Sequence, residues 1–302
     1  MPEQPETSQT QSAADVDAIA AECDNRRRWQ DDPGRGTLHY ITAEVAARAA
    51  AEVRYGDIVS LARPVHPIPL TGGPHAAAMS AVPAPIGHAL LYTGFPPQAM
   101  TDLLTINTHH ATLTHLDALG HITTDNTVYP GVPLTEAIRD GRLAISDITA
   151  LGPAIFTRAV LLDFAATAPL AKGHPISGED LEQVARQQGI EVESGDALVV
   201  RAGSATGAGI TASAVRWMHH RQISVYLGDV SDLFPPPRNG PFALPLHQIG
   251  LARMGLPIVD GAYPDPLATA CARHHRHTFA LAMGPLPIHG ATGSPVTPLA
   301  MF

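Results

Sequence analysis

Between residues 158 and 230 the chain alternates two kinds of segment, and that alternation restricts the folds open to it. "RAVLLDFA" (158–165) and "DALVVRAG" (196–203) are short apolar runs of the kind found in strands buried on both faces. "SGEDLEQVARQQG" (177–189) and "TASAVRWMHHRQ" (211–222) have helical spacing, an N-capping Ser or Thr, and in the first case a closing glycine. "ISVYLGDV" (223–230) is again strand-like. Downstream the habit continues, with helix "LHQIGLARMG", strand "LPIVDG", helix "PDPLATACAR" and strand "HTFALAMG". Upstream, "TAEVAARAAAEVRYG" (42–56) predicts a helix and "DIVSLAR" a strand. Such a pattern predicts a single α/β domain over residues 15–302 with long loops. With 45% hydrophobic and 16% charged residues, a chain of 302 residues can bury a substantial core.

Residues 1–14 are rich in Gln, Ser, Thr, Glu and Pro and predict a disordered tail. Pro and Gly crowd residues 64–97, which predicts a long irregular arm placed to cover a site or reach a neighbouring subunit. "FPPPRNGPFALP" (234–245) predicts a second Pro-rich loop. Phe95, Phe234 and Phe242 in these loops are available to stack on a flat ring.

A formal net charge of −9 argues against a nucleic-acid partner, because such binding is driven by clustered Lys and Arg. The short cluster Arg26–Arg28 is flanked by acids and reads as a solvated stretch. Cys23 and Cys271 are too few and too far apart for a disulfide framework. The first twenty residues lack a secretory pattern, and no segment reaches about 18 uninterrupted apolar residues, so a cytoplasmic protein is expected. "GSATGAG" (203–209) lacks the Lys of a phosphate-binding loop and reads as a turn, and no G-x-S-x-G elbow is present.

Chemistry concentrates in "NTHHATLTHLDALGHI" (107–122), which holds His109, His110, His115, Asp117 and His121. In an extended segment, residues of one parity share a face. His109, His115, Asp117 and His121 are odd, whereas His110 is even and faces away unless the segment bulges. Imidazoles with a carboxylate suit Zn²⁺ or Mn²⁺, and one carboxylate can bridge two such ions. Further ligands must come from elsewhere; "ARHHRH" (272–277) is a candidate by composition, though its Arg alternation is typical of a polar segment. His219 and His220 sit where a helix C-terminus favours cationic side chains.

"THLDALGH" (114–121) resembles the signature H-x-G-T-H-x-D-x-P-x-H of the cyclase family that contains kynurenine formamidase and isatin hydrolase. The resemblance extends to "RWQDDPGRGTLHYIT", "GEDLEQVARQQGIEVESGDALVVRAG", "LPLHQIGLARMGLPIVDGAYPDPLA" and "PLPIHGATGSPVTPLAMF", in the family's order, over most of residues 28–302. It implies an α/β fold of the swivelling β/β/α type, with a mixed sheet or barrel-like core and flanking helices. It also implies metal ligands at His115 and Asp117, with Asp117 bridging, and an acid/base at His121. The family's second ligand segment supplies a His and then a Glu, which here correspond to His247 and Asp260. Asp is one methylene shorter. Ala111 stands where the family's first His would be, and Leu113 and Leu119 replace its Gly and Pro; His109, or His110 through a bulge, is the replacement imidazole.

The implied function is metal-dependent hydrolysis of an amide, lactam or ester-like bond in a small, aromatic molecule, using one or two Zn²⁺ or Mn²⁺ ions. The alternatives are ring closure or dehydration of a polyketide-like intermediate, and a non-catalytic binding homologue. A homodimer or homotetramer is expected from the family, without nucleic-acid or membrane partners.

Overall fold

The computed structural model describes residues 12–69, 86–92, 94–203, 207–233 and 242–302. Its centre is a nine-stranded sheet ordered Ile58–Ser60, Leu299–Met301, Thr278–Met283, Ile155–Asp163, Ala197–Arg201, Val225–Gly228, Ile258–Asp260, His115–Asp117, Gly293–Pro295. The four strands from Ile155–Asp163 to Ile258–Asp260 run parallel, and antiparallel strands close both flanks. Parallel strands must be covered on both faces, and the runs Val160–Leu162 and Ala197–Val200 are completely buried. The fold is therefore the expected mixed α/β domain with flanking helices.

The helices form where their sequence caps them. Ser177 accepts from the Asp180 amide while the Asp180 carboxylate accepts from the Ser177 amide, a capping box that starts Gly178–Gln187. Thr42 caps Ala43–Ala51, which packs on the strand Ile155–Asp163. Gly178–Gln187 packs on Ala212–His220, which in turn contacts the helix Ala13–Glu22. That first helix revises the expected tail: residues 1–11 lie outside the described residues, but 12–14 open a helix because Ser12 and Asp15 make another capping box.

The arm differs from expectation as well. Of its described residues, Ile86–Tyr92 form a strand paired antiparallel with Met100–Ile106 beyond the arm and in parallel with Ile68–Pro69, whereas Pro and Gly content predicts irregular chain throughout. Phe95 is exposed, Phe234 lies outside the described residues, and Phe242 is packed under the Arg253 guanidinium at 4.9 Å. Phe242 is thus a core residue and not a free stacking platform. Among the described residues no helix is long and apolar enough to cross a membrane.

Candidate metal centre

Strand pairing gathers the first donors. His115–Asp117 lies between Ile258–Asp260 and Gly293–Pro295, with Asp260 directly opposite His115 and Gly293 directly opposite Asp117. Opposed residues share a face, and so do residues two apart, so His115, Asp117 and Asp260 all project from one side. Leu116 projects from the other side and is fully buried in the core. The turn that follows Asp260 needs Gly261, whose φ is +64° and where a Cβ would lie 2.8 Å from the Leu113 carbonyl.

His109 and His121 arrive by turns. Only residues 115–117 of the histidine stretch are extended, so the parity argument for a common face holds for His115 and Asp117 but not for the other two. His109 nevertheless enters the cluster, with Nδ1 3.0 Å from Asp117 Oδ1. His110 does not: its Nδ1 accepts from the Thr112 amide at 3.2 Å and pairs with the Thr112 hydroxyl at 2.9 Å. The His121 ring stacks on His109, centroids 3.6 Å apart and planes nearly parallel at 4°.

His247 comes from the wide π-helical segment Leu246–Met254, a form of helix often found at functional sites. Its orientation is set by Asp232, a residue that spacing did not single out. Asp232 Oδ2 lies 2.5 Å from His247 Nδ1, and Oδ1 accepts from the Leu246 amide at 2.7 Å. One carboxylate therefore holds both the start of the helix and its imidazole. His247 Nε2 then lies 3.5 Å from Asp117 Oδ2 and 3.5 Å from Asp260 Oδ2.

Each imidazole presents a defined nitrogen. The Leu113 carbonyl can only accept, so His115 Nδ1, at 2.7 Å from it, carries the proton and Nε2 is left as a donor atom for a cation. His115 Nε2 stands 3.5 Å from Asp117 Oδ1. His109 uses Nε2 for the Thr292 hydroxyl at 2.8 Å, which leaves Nδ1 toward Asp117. Thr292 is a second residue that no sequence pattern singles out. Two donor groups result, His109–His115–Asp117 and Asp117–His121–His247, each with its candidate ligand atoms within 4.8 Å of one another.

The electrostatics ask for a cation. Asp117 is completely buried, yet among the described residues neither of its oxygens has a hydrogen-bond partner, nor do His109 Nδ1 and Asp260 Oδ1. Buried polar atoms without partners are rare in folded proteins. Burial opposes the Asp117 charge, but the imidazoles of His109 and His247 overcome it and hold this carboxyl well below the usual range. Burial likewise opposes charge on His247, and the carboxylates of Asp117, Asp232 and Asp260 hold it well above its ordinary value. Burial pushes His121 down to about 4. The donor set of three imidazole nitrogens and two carboxylates fits a divalent ion of the Zn²⁺ or Mn²⁺ type, which would take the place of the proton on His247 Nε2.

The remaining candidate histidines lie elsewhere. His274 Nε2 bonds Asp57 at 2.8 Å and its ring stacks between Tyr55 and Phe302. His220 pairs with Glu22, and His219 Nε2 reaches the Asn25 amide oxygen at 3.4 Å.

A family model described as "Putative cyclase" matches residues 59–233, more than half of the chain. The chain belongs to this family. A solved structure described as a novel cyclase is similar to this cyclase-family protein at 28% identity and a TM-score of 0.77, over 92% of this chain and 99% of the other. An isatin hydrolase bound to the product analogue thioisatinate shares the fold at 16% identity and a TM-score of 0.55, over 86% and 98% of the two chains. Isatin hydrolase A from Ralstonia solanacearum shares it at 18% identity and 0.56, over 85% and 95%. No curated protein matches the sequence.

Proposed function

We propose that this cyclase-family protein is a metal-dependent hydrolase of an amide, lactam or ester-like bond in a small aromatic molecule. The observation that carries the reading is the buried Asp117 carboxylate, whose two oxygens face different imidazoles and have no other partner among the described residues. His109, His115 and Asp117 would hold one ion, and Asp117, His247 and Asp260 a second. A divalent ion there would act as a Lewis acid on a carbonyl and make water more acidic.

The protein's own contribution is orientation and proton movement. Thr292, the Leu113 carbonyl and Asp232 fix which imidazole nitrogens face inward. His121 stacks on His109, and its ring nitrogens make no hydrogen bond with any described residue, so one is free to take a proton. In amide hydrolysis the attacking water would give its proton to His121 as its oxygen bonds the carbonyl carbon. As the C–N bond breaks, the same nitrogen would return the proton to the leaving amine.

The test is elemental analysis of the purified protein together with turnover of a panel of aryl-formamides and lactams in ¹⁸O-water. Solvent oxygen in the product acid supports hydrolysis. Replacement of His121 by Asn should lower the rate by about 10²–10⁴ while metal content stays unchanged. A variant that loses metal as well would make His121 a ligand. A second reading, ring closure, is favoured by the description of the similar solved structure as a cyclase. It predicts turnover without solvent oxygen in the product. A non-catalytic homologue would show neither metal nor turnover.

A further inference from the structure

A cleft of about 790 Å³ opens at the outer edge of the nine-stranded sheet, between the edge strand Ile58–Ser60 and the helix Asp265–His274. None of the metal-centre donors lines it. Its walls are largely apolar, from Val59, Pro266 and the ring of Tyr263, and Thr269 stands on its helix side. A volume of this order, lined by apolar groups with a few polar ones, is typical of small-molecule sites. Charge sets the cleft apart from the chain as a whole. The chain carries 28 Asp and Glu against 19 Lys and Arg, yet the described residues lining the cleft include two arginines, Arg63 and Arg273, and no acid. Arg273 is neutralised at 3.1 Å by Asp57, which does not line the cleft. Arg63 has no carboxylate partner among the described residues. Its Nε donates to the Gly261 carbonyl at 3.0 Å and its Nη2 to the Ala262 carbonyl at 3.4 Å.

These contacts fix the Arg63 guanidinium without neutralising it. The backbone holds it too: the Arg63 amide donates to Thr114 Oγ1 at 2.9 Å, and that hydroxyl donates to the same Gly261 carbonyl at 2.7 Å. The guanidinium lies 5.9 Å from the centroid of the Tyr263 ring, so the charge and the flat apolar surface stand side by side. A guanidinium has five N–H groups in a rigid fork, and the two carbonyls occupy one at Nε and one at Nη2. The Nη1 pair donates to no described residue. We propose that the cleft binds a small carboxylate with a flat apolar body, its carboxylate paired with Arg63 and its body against Tyr263 and Pro266. A bare inorganic anion would leave the apolar walls wet, and a neutral ring would leave the guanidinium unmatched. A ring that carries a carboxylate satisfies both, and the planar fork favours a planar carboxylate. No metal donor takes part, so this proposal and the hydrolase reading can fail separately.

The full-length protein is titrated with phenylacetate by calorimetry at low ionic strength, with phenylacetamide as the neutral control. The wild type should bind phenylacetate saturably and phenylacetamide about tenfold more weakly or not at all, because the amide brings no charge to the guanidinium. Metal removal with a chelator should leave the phenylacetate affinity unchanged. Arg63→Met should lower that affinity by about tenfold or more, and Arg63→Lys by less, because an ammonium keeps the charge but not the fork. A second variant tests the cleft without touching Arg63. Thr269 is exposed on its helix, so the indole of Thr269→Trp should fill the cleft and abolish binding with an unchanged circular dichroism spectrum. Absence of saturable binding, equal binding of the amide, loss of binding with the metal, or wild-type affinity in either Arg63→Met or Thr269→Trp overturns the proposal.

Discussion

Asp260 stands directly across the strand pair from His115, and that register places a carboxylate at the candidate metal centre even though its stem is one methylene shorter than a glutamate's. The shorter side chain still reaches: Asp260 Oδ2 is 3.5 Å from His247 Nε2 and within 3.4 Å of the Ser231 hydroxyl. Its other oxygen is buried without a partner among the described residues. The strand pairing compensates for the side chain's length.

Asp232 should govern metal affinity without touching the ion. Its Oδ2 accepts from His247 Nδ1, which fixes the ring so that Nε2 faces Asp117 and Asp260. Outer carboxylates of this kind typically contribute 10–100-fold to metal affinity. Asp232→Ala should weaken binding by about that factor, whereas Asp232→Asn, whose amide oxygen still accepts from Nδ1, should lose much less. Competition titration with a chelating dye measures both. Equal affinity in Asp232→Ala and wild type would remove Asp232 from the site.

What could be read in advance followed the range of the interaction. The central strands are legible because burial on both faces demands continuous apolar runs, as in Val160–Leu162, and the helices because Ser177 and Thr42 cap them locally. His115 and Asp117 are legible because a two-residue spacing survives any strand. His109 reaches the cluster through a turn closed by bonds such as Leu113 N–H to the His110 carbonyl, so it stands beside Asp117 for a reason the extended-chain argument does not supply. Asp232 and Thr292 bond residues 15 and 183 positions away, and nothing in their neighbourhood marks them. The hairpin was hidden because its neighbours Pro96 and Pro97 and nearby glycines read as breakers, although the strands on either side hold a regular ladder.

A pH effect is expected away from the site, at Glu182. The Trp217 indole N–H donates to Glu182 Oε2 at 2.9 Å and Arg221 donates to the same oxygen at 2.7 Å. Arg186 reaches Oε1 at 3.2 Å. The indole bond most strongly, and with it the two guanidiniums, outweighs the cost of burial and brings this carboxyl from its ordinary 4.5 down to about 2. A depressed acid stabilises the fold above its unfolded pKa and loses that contribution as pH falls through its folded one. Stability should therefore decline between about pH 4.5 and 2, and this decline should be shallower in Glu182→Gln. Denaturant midpoints across that window measure it, and Trp217 fluorescence in a Trp29→Phe background reports the same protonation. An identical slope in Glu182→Gln would place the acid sensitivity elsewhere.

Gly293 is the position where a single methyl group should damage the centre. It pairs with Asp117 across the edge of the sheet, and the His109 imidazole occupies the space that a side chain there would need. A Cβ would come 2.9 Å from His109 Cε1 and 3.3 Å from Nε2, and 2.8 Å from the Leu116 carbonyl oxygen. The Leu116 oxygen belongs to a strand paired on both sides and cannot retreat, so the displacement must fall on His109 and its bond to the Thr292 hydroxyl. Overpacking of this size costs about 1–3 kcal/mol. Gly293→Ala should melt at a lower temperature and bind metal more weakly. Thr292→Ala, which frees the same ring without crowding it, should weaken metal binding with a smaller loss of stability. The two effects are separated by measuring thermal midpoint and metal affinity on both variants. Wild-type metal affinity in Gly293→Ala would mean that His109 is not held where the structure places it.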